Sequence, residues 1–320
     1  MKNNILKIIT FLVISSLLLS GCSEKPNAMR IMENKDEGVR RLKVYASFYP
    51  YYDFAKKIGG DNVDVSTLIP SGTEPHSFEP SAGVIAQLEQ ADVFIYNGVR
   101  MEPWMDKVLN LLEGRDIYLI DASESVELIS YNRKHGDKNN SEHHHGQYDP
   151  HIWVDPVNVI YISEKIRDTF SRVDSSNRDI YEENFNRFKK ELEELDTAFR
   201  EGLKDATERK IIVSHSAFGY LAKRYNLEQI AVAGVSPHAE PSPKRLAELT
   251  NIAKDNKIDY IFLEALASVK TAEVLAKEAN LEVLTLYIVE GLTKEQQSRG
   301  EDYISLMYKN VETLKKALVR

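Results

Sequence analysis

Cysteine is almost missing from this chain: Cys22 is the only one in 320 residues. A single thiol forms no internal disulfide, so its presence calls for another reason. Long apolar runs are missing as well. Ile8–Leu19 is almost wholly apolar, but it falls short of the roughly 20 residues that a membrane-crossing helix needs, and no further run follows. Positive charge is not in excess: 41 Lys and Arg stand against 49 Asp and Glu, a net charge of −8. That balance argues against nucleic acid as a partner and is compatible with a cation as ligand, although its usual meaning is solubility. The signatures of several enzyme classes are also absent. There is no Walker-type Gly-x-x-x-x-Gly-Lys-Ser/Thr run and no His-Glu-x-x-His stretch. No Gly-x-Ser-x-Gly elbow supports a nucleophilic serine.

The first residues point to export. Lys2 and Lys7 provide a positive start, and the apolar stretch after them suits a secretion signal over residues 1–21. Leu19-Ser20-Gly21-Cys22 resembles a lipobox, the cleavage and lipidation signal of bacterial lipoproteins. That resemblance implies cleavage before Cys22, a lipid on its thiol, and an extracytoplasmic protein held to the cell membrane; a plain secreted protein with an incidental cysteine is the alternative. Residues 22–40 are polar and read as a flexible tether.

Beyond residue 41, short β-rich runs alternate with helical stretches. Leu42–Ser47, Val63–Ile69, Val93–Tyr96 and Asp116–Ile120 read as strands, and Tyr51–Ile58, Ala82–Gln90 and Pro103–Glu113 as helices. A polar insert over 121–150 follows, then a helix over Val157–Val173. The scheme repeats with strands at Ile211–His215, Gln229–Ala233, Tyr260–Leu263 and Val283–Tyr287. Such alternation predicts α/β lobes, each with a parallel four-stranded sheet flanked by helices. The lobes are expected at 41–173 and 209–320, with enough chain for a core in each. Between them, over 174–208, Ile180, Phe185, Phe188, Leu192, Leu195, Phe199 and Leu203 recur mostly at gaps of three or four. This is the spacing of one helix face, and it predicts a long, stiff helix joining the lobes. Two shorter helices with a bend near Glu194 are the alternative.

Four residues stand at or just past expected strand ends: His76, His151, His215 and Glu290, at intervals of 75, 64 and 75 residues. Ligands of open α/β sheets bind beyond the carboxyl ends of the strands, and a zinc site takes four N, O or S ligands. Taken singly, each histidine is more often a packing or capping residue. Their shared location at strand ends is what points to a metal site in a cleft between the lobes.

The segments Gly72–Ser81 (GTEPHSFEPS), Asp149–Pro156 (DPHIWVDP), Ser214–Tyr220 (SHSAFGY), Ser236–Pro243 (SPHAEPSP) and Glu290–Leu292 resemble, in order, the zinc/manganese solute-binding lipoproteins of bacterial ABC importers. With the lipobox they cover nearly the whole chain, and as a set they are specific. The resemblance implies the two-lobed fold with its rigid backbone helix. It also implies ligation by His76, His151, His215 and Glu290, and delivery of the ion to a permease and an ATPase on separate chains. Imidazole suits zinc, whereas manganese favours oxygen ligands, so three histidines and one glutamate favour Zn2+ over Mn2+. A monomer is expected. Some relatives carry adhesin names, so a surface adhesin remains the alternative.

Two further features bear on metal. His135, His143, His144 and His145 lie in a polar stretch that resembles the His-rich loops of zinc-binding relatives, and they read equally as a weak collecting site or a solvated loop. Glu240 is expected to orient a ligating imidazole through a hydrogen bond, with His238 beside it as an alternative ligand.

Overall fold

The computed structural model describes residues 40–130, 148–234, 242–264 and 270–319. The leader, most of the tether, Cys22, His135, His143–His145, His238 and Glu240 lie outside the described residues.

All eight expected strands form, as β1 Leu42–Ala46, β2 Val63–Thr67, β3 Val93–Tyr96, β4 Tyr118–Asp121, β5 Lys210–Val213, β6 Glu228–Ala231, β7 Tyr260–Leu263 and β8 Glu282–Thr285. They make two all-parallel sheets with the same order of connection, β2-β1-β3-β4 and β6-β5-β7-β8. All four residues of β3 are buried, as a strand covered by helices on both faces requires. Helices α1 Tyr49–Gly59, α2 Ala82–Gln87 and α3 Met105–Leu112 connect the first sheet. The second is connected by α6 Gly219–Arg224, α7 Pro243–Asp255 and α8 Lys270–Ala279, and followed by α9 Lys294–Ser298 and α10 Tyr303–Leu318.

Between the sheets run α4 Pro156–Val173 and α5 Arg178–Leu203. Asp155 caps α4, its carboxylate accepting the Val157 N–H, and Pro156 occupies the first turn, where a missing N–H costs nothing. The 26 residues of α5 run unbroken through Glu194, about 39 Å at 1.5 Å per residue. Its buried face is Tyr181, Phe185, Phe188, Leu192, Leu195, Phe199 and Leu203. Ile180, expected on that face, is exposed, and Tyr181 takes its place, its hydroxyl donating to Asp174. The stripe therefore starts one residue later than the apolar count suggests, because a tyrosine with a partner for its hydroxyl packs as well as an isoleucine.

The core is not divided as expected. Among the described residues, one continuous apolar cluster joins β1, β3, α1, α4, α5 and α10 with β5 and α6, and a smaller cluster under α7 and α8 stands apart. Residues 41–320 accordingly form one compact unit. The two sheets are also stitched by polar contacts: Trp153 Nε1–H donates to the Ile288 carbonyl at 2.7 Å, Tyr303 Oη–H to the Trp153 carbonyl at 2.8 Å, and Arg224 pairs with Asp155 at 2.7 Å.

Candidate metal centre

His76 sits in a 3-10 turn, Pro75–Ser77, beyond β2; the Glu74 carboxylate accepts the His76 and Ser77 N–H groups. His151 precedes the turn Ile152–Val154, beyond β4. His215 follows β5 by two residues. These three loops leave the carboxyl ends of strands in both sheets, and they bring one ring nitrogen from each histidine within 4.8 Å of the others. The Nε2 atoms of His76 and His151 are 3.2 Å apart. Two nitrogens about 2.0–2.1 Å from a tetrahedral zinc stand roughly 3.3–3.4 Å apart, close to that separation.

Two carboxylates fix which nitrogen faces the centre. His151 Nδ1–H donates to Asp149 Oδ1 at 2.8 Å, and the same oxygen accepts the His151 backbone N–H at 3.0 Å. His215 Nδ1–H donates to Glu264 Oε1 at 2.7 Å, and Ser214 Oγ–H donates to that oxygen too. With Nδ1 protonated and held, Nε2 of each ring carries the lone pair that a metal takes. His215 Nε2 is buried and has no hydrogen-bond partner among the described residues, an arrangement that costs free energy unless a ligand completes it. Burial lowers the His151 pKa, against the opposing pull of Asp149, which favours the neutral, ligating ring. Trp153, whose ring centroid is 5.5 Å from that of His151, closes the apolar floor.

Glu290 lies five residues beyond β8 and is buried, but it stands outside the group of three imidazoles. It lines, with Glu264, Val289 and Gln296, a cavity of about 20 Å³, room for about one water. Val289, immediately before it, has φ +63°, a left-handed conformation that costs a β-branched residue strain. Burial raises the Glu290 carboxyl well above the usual range, with Glu264 and Glu74 adding to the effect. Its Oε2 and the Oε2 of Glu264 are both buried without a hydrogen-bond partner among the described residues. Sequence reasoning missed Asp149 and Glu264 as the groups that orient the imidazoles. Asp149 is two residues before His151 and Glu264 is the first residue past β7; an acid at a strand end was the available signal.

Converging imidazoles in an α/β protein of two parallel sheets make a nitrogen-rich site whose chemistry suits a divalent transition metal. The chain belongs to the family described as zinc-uptake complex component A (ZnuA), periplasmic, whose profile matches residues 44–317. It is 40% identical over 284 residues to the zinc-binding lipoprotein AdcA of Streptococcus pneumoniae, a match covering 88% of this chain and 57% of that protein. The chain thus spans little more than half the length of the first relatives it matches. It is 36% identical to the high-affinity zinc uptake system protein ZnuA of Bacillus subtilis, covering 87% of this chain and 88% of that one. Its fold is similar to the crystal structure of the Zn(II)-bound ZnuA-like domain of S. pneumoniae AdcA, with a TM-score of 0.74 and 39% identity over 88% of this chain and all of that domain. Among the described residues, no helix is long and apolar enough to cross a membrane.

Proposed function

We propose that this protein captures Zn2+ outside the cytoplasm and passes it to an ABC permease driven by a separate ATPase. The observation that carries the reading is the set of three imidazoles within 4.8 Å of one another, two of them held by carboxylates so that Nε2 faces inward. His76 and His151 bind from the side of the first sheet and His215 from the side of the second, so the ion crosslinks the two. Glu290 supplies the fourth ligand: as a cation enters, its attraction outweighs the burial that keeps this carboxyl protonated. The lobes at 41–173 and 209–320 act as the two walls of the cleft, and α5 limits how far they part. Anchorage is through the lipid on Cys22. The histidines at 135 and 143–145 collect zinc weakly, and the protein works as a monomer.

The test is zinc and manganese competition against a calibrated chelator, with metal stoichiometry by mass spectrometry. One tightly held zinc with far weaker manganese is expected. Preferential manganese, or no tight metal, refutes the reading. His215→Ala is expected to lower zinc affinity by at least about a hundredfold, since it removes a direct ligand where even outer partners cost 10–100-fold. Replacing residues 143–145 leaves the main site nearly intact. Equal losses from the two variants contradict the division between a main site and a collecting loop.

A further inference from the structure

The hydroxyl of Tyr220 joins the two halves of the molecule at a point next to the metal centre. Tyr220 lies on α6, against the second sheet, and is buried. Its Oη–H donates to the Asp149 carbonyl at 2.9 Å, and Oη accepts the Ile129 N–H at 3.1 Å. Those two residues belong to the first half and face each other: Asp149 N–H donates to the Ile129 carbonyl at 2.9 Å, and Ser130 and Tyr148 next to them form an antiparallel bridge. One hydroxyl from the opposite side thus ties both strands of this stem.

The neighbour of Tyr220 makes the same contact from another direction. A Cβ on Gly219 would lie 2.4 Å from Asp149 Oδ2, so the carboxylate rests on bare backbone at the start of α6. Asp149 is then held at its N–H, its carbonyl and its carboxylate, and its Oδ1 carries both the backbone N–H and the Nδ1–H of His151. A hydroxyl that touched only the stem would be a packing detail. This one acts on the residue that sets the His151 ring.

We propose that Tyr220 is a positioning residue for the metal site, a latch across the two halves that acts through Asp149 to hold His151 and slow the release of bound metal. The proposal rests on the reading that His151 ligates zinc. Loosening the latch lets Asp149 shift, so His151 loses its fixed angle while all ligands remain present. Zinc is still bound one per chain, but it leaves sooner. Arg224, one turn further along α6, pairs with Asp155 and keeps the helix docked when the hydroxyl is gone, so the effect is local.

The test uses the full chain in detergent, as parent, Tyr220→Phe, Asp149→Asn and the double variant. Zinc dissociation is timed against excess chelator, and cobalt(II) is substituted to read ligand geometry from its visible bands. Tyr220→Phe is expected to keep one zinc, to release it about tenfold faster, and to shift the cobalt bands. In the double variant the loss is smaller than the product of the single losses, because both act on one ring. Gly219→Ala, which pushes on the same carboxylate, is expected to accelerate release in the same sense. A Tyr220→Phe protein that melts earlier but releases zinc at the parent rate with unchanged cobalt bands is a purely structural outcome and overturns the latch. Multiplicative losses overturn it as well. A parent that holds no zinc overturns the transport reading and the latch together, whereas a tightly loaded parent with unaltered Tyr220→Phe kinetics overturns the latch alone.

Discussion

At the scale of the residue, two acids fix two of the three imidazoles. Asp149 and Glu264 each accept an Nδ1–H, at 2.8 and 2.7 Å, and so decide the tautomer and the direction of Nε2. Glu264→Gln keeps the shape and one acceptor oxygen but removes the charge that makes the bond strong. It is expected to weaken zinc about 10–100-fold without changing stoichiometry, as measured by chelator competition; an unchanged affinity shows that His215 needs no such partner. The histidines themselves were legible in the sequence because strand ends are where such sheets bind ligands. Their orienting acids were not. Glu264 is 49 residues from His215 in the chain, and only the pairing of β5 with β7 makes them neighbours. Glu240, the acid expected in that role, lies outside the described residues.

At the scale of the element, periodicity carried most of the fold. Every strand expected from β-rich alternation forms, with ends displaced by at most two residues, and the long helix is continuous. The short α9 escaped, although Thr293 and Gln296 form a capping box there, a pattern visible in Thr-x-x-Gln. Five residues are too few for a hydrophobic period to register. The joint between the halves is α5, and its worth is measurable. Phe188 is buried against Phe54, with ring centroids 5.8 Å apart, so Phe188→Ala is expected to cost about 3–5 kcal/mol. Ile180 is 43% exposed, and Ile180→Ala is expected to stay within about 0.5 kcal/mol. Denaturant midpoints of the two variants check the assignment: comparable losses mean that the buried face has been placed wrongly. What periodicity could not reveal is that the core runs on across both sheets. An apolar face states that something covers it, not which element does.

At the scale of the whole molecule, two buried acids make stability depend on pH. Burial raises the carboxyl of Asp53, on α1, to about 7, against the pull of Lys57. It does the same to Glu102, also to about 7, against the hydrogen bond from the Asn97 N–H. Both groups ionise near their ordinary values, 3.8 and 4.5, when the chain unfolds. Their folded pKa lies above the unfolded one, so the stability they contribute is complete below pH 4 and is lost as pH rises towards 7. His151 works in the opposite sense, since its lowered pKa gives stability above 6.5 that is lost as pH falls. Glu290 works in the same sense as the two acids while no metal is bound. The difference between two proteins isolates one group from this sum. Glu102→Gln keeps an oxygen for the Asn97 N–H, which the parent carboxylate accepts at 2.9 Å, and has no proton to lose. Relative to the metal-free parent, its melting temperature is therefore expected to climb by roughly 2–4 °C per pH unit between pH 5 and 7 and then to level off. A difference that stays flat across that range means that Glu102 ionises in the folded protein as it does in water. The buried end of β3 would then hold a charge that nothing around it neutralises, which the surrounding core makes costly.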